Sequence, residues 1–469
     1  MSESRYPVRR GEILEVSIEN IAFGGKGIGY RDAYVIFVKD TIPGDLVRVK
    51  VTRRKPNYAE ARLMQIINPS DLRISAPCPY FEWCGGCTWQ NISYQDQLKF
   101  KRQHVLESLQ HIGSIQDLQV EETIPSPMIW GYRNKMEFSF SDRRWLLPSE
   151  LGNMNISISY ALGLHIPGTF DKILDVDHCL LQSETANNVL KLTDEYCIKN
   201  ELEPYGIRSH NGFMRFLVIR ESQSDGDVMV NLVTGYRDPE KLKPLAELLM
   251  SRIPEVTSVV NNINTRKAQI AFGEEEILLS GKNVISESIG TLHFDISPNS
   301  FFQTNTKQSV VLYRIAKDFA GLTGNEIVWD LYAGTGTITL FMADQAREAF
   351  GFELVESAVN DARKNAIANN IKNVTFIAGD LLDNIEQIKP LPEVIIVDPP
   401  RSGMHPAVCT KLSQSGAQRI VYVSCNPSTL ARDVQLMTDN YRVKKVQPVD
   451  MFPHTYHIET VVLLEKINA

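Results

Sequence analysis

The sequence predicts an α/β protein: a mostly parallel sheet in the C-terminal part, a small β-barrel at the N-terminus and an α+β segment between them. Three observations predict it. From about residue 324, five short apolar runs (IVWDLYA, AFGFE, VTFIAGD, EVIIVD and RIVYVS) alternate with helical stretches such as ESAVNDARKNAIANN, as in βαβ units. Two further strands, near 441–449 and 457–465, are joined by the short loop DMFPHTY and must run antiparallel to each other. Residues 7–66 hold runs such as ILEVSI, AYVIFV and DLVRVKV, separated by the turn signals Gly24-Gly25-Lys26-Gly27 and Pro43-Gly44-Asp45.

The barrel comes first. About five short strands in ~60 residues make an OB-like barrel. AFGGKGIGY followed by VIFVKDTIPGDLVRVKV resembles a TRAM domain, a small RNA-binding barrel. Its glycines can let the backbone approach a phosphate, and Arg48, Lys50, Arg53, Arg54 and Lys55 suit phosphate contacts. Charge agrees: residues 1–66 carry 12 Lys+Arg against 8 Asp+Glu, a net of +4, which leaves −11 of the total of −7 on the remainder. A basic module on an acidic body points to an RNA partner.

The middle follows. Residues 93–112 place Leu98, Val105, Leu106, Leu109 and Ile112 at helical spacing, ending at Gly113. Residues 130–290 mix strands and helices without a single period. A chain of 469 residues holds two to four domains at ~100–200 residues each. The expected division is 1–66 (barrel), 67–290 (central α+β) and 291–469 (catalytic sheet). No apolar run approaches the ~18–20 residues that span a bilayer, and the N-terminus has no apolar signal core. A soluble, cytoplasmic monomer is expected, with no membrane partner.

Seven cysteines without an export signal argue for metal or catalytic use rather than disulfides. Cys78, Cys84 and Cys87 form a C-x5-C-x2-C motif around Gly85-Gly86, and Cys179 is a candidate fourth ligand. Four thiolates suit zinc or an iron–sulfur cluster, and spacing does not decide between them. Cys197 and Cys409 lie on helical stretches and read as packing.

The C-terminal sheet, seven strands with one reversed at its end, has the architecture of Rossmann-like methyltransferases. Asp330-Leu-Tyr-Ala-Gly-Thr-Gly336 follows its first strand and opens a helix. Gly334 and Gly336 permit a tight turn and close ligand approach. Glu353 ends the second strand, where an acid contacts ribose hydroxyls, and Asp380 and Asp398 end the third and fourth. The dinucleotide-type Gly-x-Gly-x-x-Gly is incomplete, because Ile338-Thr339 stand where its last glycine would be, which favours S-adenosylmethionine over NAD. Cys425 ends the fifth strand just before a helix, whose N-terminus would favour a thiolate. Glu459 begins the reversed strand, so it should meet Cys425 and Asp398 at one sheet edge. The stiff Asp398-Pro399-Pro400-Arg401 loop lies beside them.

Together FFQTN, DLYAGTGTI, GFELVESAV, IIVDPPRSG, VSCNPSTLARD and HIETVVLL resemble the RNA uracil-5-methyltransferase family over nearly the whole chain. The resemblance implies methylation of uridine C5, with Cys425 adding to C6 and Glu459 removing the C5 proton. It implies that Gln303, Tyr332, Glu353 and Asp398 contact S-adenosylmethionine; Thr337 stands where the family often has Asn. It implies a [4Fe–4S] cluster on the four cysteines, zinc being the lesser alternative. Tyr132-Arg133-Asn134-Lys135 resembles a family segment near the RNA: Arg133 and Lys135 suit phosphates, and Tyr132 can stack on a base. The barrel and cysteine cluster favour 23S rRNA as substrate; tRNA is the alternative, and the target uridine is expected to be flipped. An amino-group methyltransferase would carry an aromatic residue where Arg401 follows Asp-Pro-Pro and has no use for Cys425. An iron–sulfur RNA-binding protein without catalysis has no use for Cys425 and Glu459.

Overall fold

The structure, a computed structural model, describes residues 7–154, 156–384 and 389–467. Strands Ile13–Ile21, Gly27–Arg31, Tyr34–Val38, Leu46–Arg54 and Tyr58–Asn68 close into the expected barrel. Alternation makes it: Val16, Ile18, Ile36, Val38, Val47, Val49 and Val51 point inward and are buried, while Arg48, Lys50 and Arg53 point out. Gly29 serves the packing of this barrel. A Cβ there would lie 2.2 Å from Val16 Cγ1 and 2.6 Å from the Ser17 carbonyl oxygen, so this glycine is filled by its neighbour rather than open to a phosphate.

The central segment is an eight-stranded mixed sheet. Helices Glu184–Lys199 and Lys243–Arg252 pack on it, around Phe138, Leu190, Leu217, Leu232 and Leu249. Cys197, fully buried, belongs to this core, and Cys409 to that of the C-terminal sheet. Both pack as expected.

The C-terminal sheet has seven strands: β1 Ile327–Leu331, β2 Glu348–Glu353, β3 Val374–Ala378, β4 Val394–Val397, β5 Arg419–Ser424, β6 Tyr441–Val449 and β7 Glu459–Lys466. Their order is β3-β2-β1-β4-β5-β7-β6, and only β7 runs against the rest. The reversed strand therefore lies inside the sheet, not at its end as expected. The reason is polarity. β7 is buried from Glu459 to Leu464, whereas β6 exposes Arg442, Lys444 and Lys445, charges that suit an edge.

Helix Tyr94–His111, capped by Ser93, crosses onto this sheet and packs along helix Pro427–Gln435. Its apolar spacing hid four buried polar residues, Gln97, Lys101, His104 and Ser108. Lys101 Nζ lies 2.6 Å from Asp450 Oδ1 with both side chains fully buried, and also donates to the Phe452 carbonyl at 3.0 Å. Tyr94 donates to the other Asp450 oxygen at 2.8 Å. Gln97 accepts from the His454 amide at 2.9 Å. The loop joining β6 to β7 is thereby held from the N-terminal side of the molecule. Lys101→Met should leave the Asp450 carboxylate buried without its cation and cost about 3–5 kcal/mol. Urea unfolding curves of the variant and wild type check this.

Candidate active site

Residues at the carboxyl ends of the parallel strands line a cavity of about 1250 Å³. Single small-molecule pockets run to ~300–1,000 Å³, so it has room for two ligands side by side. Gln303, Tyr332, Gly334, Glu353, Asp380, Asp398, Cys425, Glu459 and Arg133 all line it. Asp380 does so from two residues beyond β3 rather than from its end.

The turn after β1 shapes one half. Tyr332 has φ +77°, an uncommon conformation for a bulky residue, and its amide donates to the Phe352 carbonyl at 3.0 Å. The Gly334 amide donates to Glu353 Oε2 at 3.0 Å, and the Val355 amide to Glu353 Oε1 at 2.9 Å. The Glu353 carboxylate is thus aimed by backbone. A Cβ on Gly334 would meet nothing within 4 Å, so this backbone is open to a ligand. Gly336 is different. A Cβ there would lie 2.7 Å from the Phe376 ring and 3.0 Å from Ala362, so this glycine, expected to approach the cofactor, instead lets its helix pack on the sheet. Asp330, fully buried, accepts from the Thr339 hydroxyl at 2.6 Å, and burial pushes it up to about 7. Tyr313, which the sequence did not single out, lies buried against Thr337 and Gln303. Its helix, Thr306–Ala320, reads only as amphipathic, so no local signal marks it.

The other half holds Cys425, Asp398 and Glu459, brought together as the reversed strand requires. Glu459 is 5% exposed. Burial, then the neighbouring Asp398, raises it well above the ordinary carboxyl range, against the pull of Arg401. Asp398 is pushed up to about 7 by burial and Asp330. The expected lowering of the Cys425 thiol is not found. Burial comes first, then Glu459 and Asp398, and together they push it up to about 12, with Arg401 opposing. Asn426, the next residue, caps the helix, accepting from the Ser428 amide at 3.0 Å. The half-charge of a helix end is outweighed by desolvation and two acids.

The Tyr132–Lys135 segment also departs from expectation. Tyr132 is 1% exposed and donates to the Pro453 carbonyl at 3.2 Å, so it cannot stack on a base. Asn134 latches the sheet to the FFQTN loop, donating to the Gln303 carbonyl and to Thr306 Oγ1, each at 2.8 Å. Lys135 is half-buried, 2.5 Å from Glu137, and is not among the residues that line the cavity.

Cys78, Cys84, Cys87 and Cys179 are half-buried and close enough to repel one another as thiolates. Burial first, and then this repulsion, pushes Cys84 up to about 11 and Cys87 to about 12. A bound cation would relieve such repulsion, so the donor chemistry suits a soft metal. Among the described residues, however, no three His, Cys, Asp or Glu side chains are placed to hold a metal ion. The motif touches the catalytic half through backbone: the Thr88 and Trp89 amides donate to the His454 carbonyl at 2.9 and 3.0 Å, in the loop that leads to Glu459. No helix among the described residues is long and apolar enough to cross a membrane.

Residues 225–467 match the tRNA (Uracil-5-)-methyltransferase family, and residues 7–64 match the TRAM domain. A protein of Chlorobaculum tepidum described as an uncharacterized RNA methyltransferase is 41% identical, over 99% of this chain and 98% of its own. One of Porphyromonas gingivalis, described the same way, is 42% identical over 96% of this chain and 99% of its own. Among solved structures, the Pyrococcus abyssi tRNA (uracil-54, C5)-methyltransferase in complex with S-adenosyl-L-homocysteine superposes with a TM-score of 0.75 and 29% identity. It covers 96% of this chain and 100% of its own.

Proposed function

The chain belongs to the tRNA (uracil-5-)-methyltransferase family and is an RNA methyltransferase, and from that premise we propose that it methylates C5 of a flipped uridine by covalent catalysis through Cys425. The observation that carries this reading is the meeting of Cys425, Asp398 and Glu459 on one wall of a two-ligand cavity. Uracil C5 is too weak a nucleophile to take a methyl group unaided. The Cys425 thiolate adds to C6, the C5–C6 π bond breaks, and the electron pair moves to O4 as an enolate. S-adenosylmethionine supplies an electrophilic methyl group, for which Gln303, Tyr332, Gly334, Glu353, Asp380 and Asp398 form the pocket. C5 takes that methyl group, Glu459 accepts the C5 proton, and β-elimination releases Cys425. Both ionisable groups stand above their ordinary values, through burial first. The Cys425 thiol is pushed up to about 12, so the rate should rise with pH from neutral into the alkaline range as it loses its proton.

The substrate we favour is 23S rRNA, read by the barrel with Arg133, which lines the cavity, as a further RNA contact. The alternative is tRNA, the substrate named for the Pyrococcus abyssi enzyme, which matches this chain over its full length. Methylating rRNA and tRNA transcripts side by side, with radiolabelled methyl donor, tests both. Incorporation into neither, or at a position other than uracil C5, would sink the assignment.

Cys78, Cys84, Cys87 and Cys179 are our proposed ligands for a [4Fe–4S] cluster. Such a cluster would brace the segment that holds the His454 loop, and no chemical step passes through it. Cys84→Ser should lose the visible absorption of the cluster and weaken RNA binding, with methyl-donor binding intact. Anaerobically purified wild type containing zinc, with neither iron nor sulfide, would overturn the cluster.

A further inference from the structure

The proposed reaction makes a thiolate, then an enolate, in a wall already crowded with Asp398 and Glu459. Both states are anionic, so the site needs a cation. Arg401 lines the cavity with these three residues and is exposed to it. Among the described residues it forms no ion pair, which leaves its guanidinium available. Its backbone is not free to move. The Arg401 carbonyl accepts from Asn426 Nδ2 at 3.0 Å and from the Thr429 hydroxyl at 3.4 Å, which ties it to the residue after Cys425 and to the helix that follows. Around it the loop is equally fixed. The Gly403 amide donates to the Pro400 carbonyl at 2.8 Å, and Arg432 donates to the carbonyls of Ser402 and Met404 at 3.0 and 3.1 Å. Gly403 must be glycine for this: φ is +75°, and a Cβ would meet Arg432 and Asp433 at 2.6 Å. The loop thus fixes the Arg401 backbone beside Cys425, and its unpaired side chain lines the same cavity.

We propose that Arg401 is the counter-ion of the Cys425 thiolate and, once the thiolate has added to C6, of the enolate oxygen at O4; the second half rests on the covalent reaction proposed above. The charged groups that act on the thiol are Glu459 from β7, Asp398 from the end of β4 and Arg401 from the loop, and only Arg401 favours ionisation. The thiol proton leaves to water, the new bond is S–C6, and the charge displaced onto O4 faces a planar donor that is always protonated. Arginine suits both stages because its fork can turn from a sulfur to an oxygen acceptor without losing charge.

The test reads the thiol without any RNA. Alkylation of Cys425 by iodoacetamide is followed by peptide mass spectrometry between about pH 7 and 10, since only the thiolate reacts. Arg401→Gln should slow it by about tenfold at each pH, while Arg401→Lys stays close to wild type and both variants still bind S-adenosylhomocysteine. Wild-type alkylation in Arg401→Gln overturns the proposal, and so does a Lys variant as slow as the Gln variant, because charge would then not be what acts. A second arm uses RNA carrying 5-fluorouridine, whose adduct cannot lose a C5 proton. Arg401→Gln should form that adduct more slowly than wild type, and equal rates would overturn the enolate half. Wild type that forms no adduct at all would instead remove the covalent reading, leaving the thiolate pairing to stand or fall by alkylation alone.

Discussion

Cys425→Ala is expected to abolish methyl transfer, by at least ~10⁴-fold, yet to bind S-adenosylmethionine as wild type does. The size of the loss follows from chemistry. Without a sulfur to add at C6, C5 never gains enolate character, and no other residue on that wall is a nucleophile of comparable strength. The retained binding follows from position. Cys425 begins the turn after β5, whereas Gly334 and Glu353, the backbone-aimed parts of the other half, belong to β1 and β2. Half-buried and capping nothing, Cys425 can lose its sulfur without disturbing the helix that Asn426 caps. Single-turnover transfer of labelled methyl, beside calorimetric binding of the donor, separates the two outcomes. Normal turnover would end the covalent mechanism; lost donor binding would mean that Cys425 also shapes the first half of the cavity.

Glu459→Gln is expected to separate the steps of the reaction. Addition and methyl transfer precede proton removal, so they should survive. Elimination should slow by ~10²–10⁴-fold, because an amide matches the carboxyl in size but cannot take the C5 proton. A methylated protein–RNA adduct that resists denaturation should therefore accumulate. The substitution also removes a carboxylate from a position that is 5% exposed and beside Asp398. Folding should be unharmed, since a neutral group suits that position better than a charged one. Turnover at the wild-type rate would show that another group is the base. A variant that makes no adduct at all would show that Glu459 acts before methyl transfer, by orienting the ring.

Much of this was legible along the chain because it is written in local patterns. Period-two alternation with Gly/Pro turns predicts the barrel. Alternating strands and helices predict the parallel sheet. The rule that ligands gather at the carboxyl ends of parallel strands, with the last strand reversed, brings Cys425, Asp398 and Glu459 to one edge. Those inferences need only periodicity and connectivity, which the sequence carries by itself. What it could not carry are the effects of neighbours distant in sequence. The interior place of β7 depends on which strand has a charged face to spare for the edge. Gly334 and Gly336 look alike in the motif, yet one opens to the cavity and the other fills a gap against Phe376. Tyr132 reads as an aromatic free to stack, but the loop at Pro453 buries it. Lys101 and Asp450, 349 residues apart, form a buried pair that no local spacing predicts. The Cys425 thiol shows the division most clearly. The sequence places it before a helix, which argues for a lowered value, but desolvation and two carboxyls from other strands raise it instead. Local order determines which groups reach the site, while burial and through-space charge, fixed only in the folded chain, decide which protonation state each one holds.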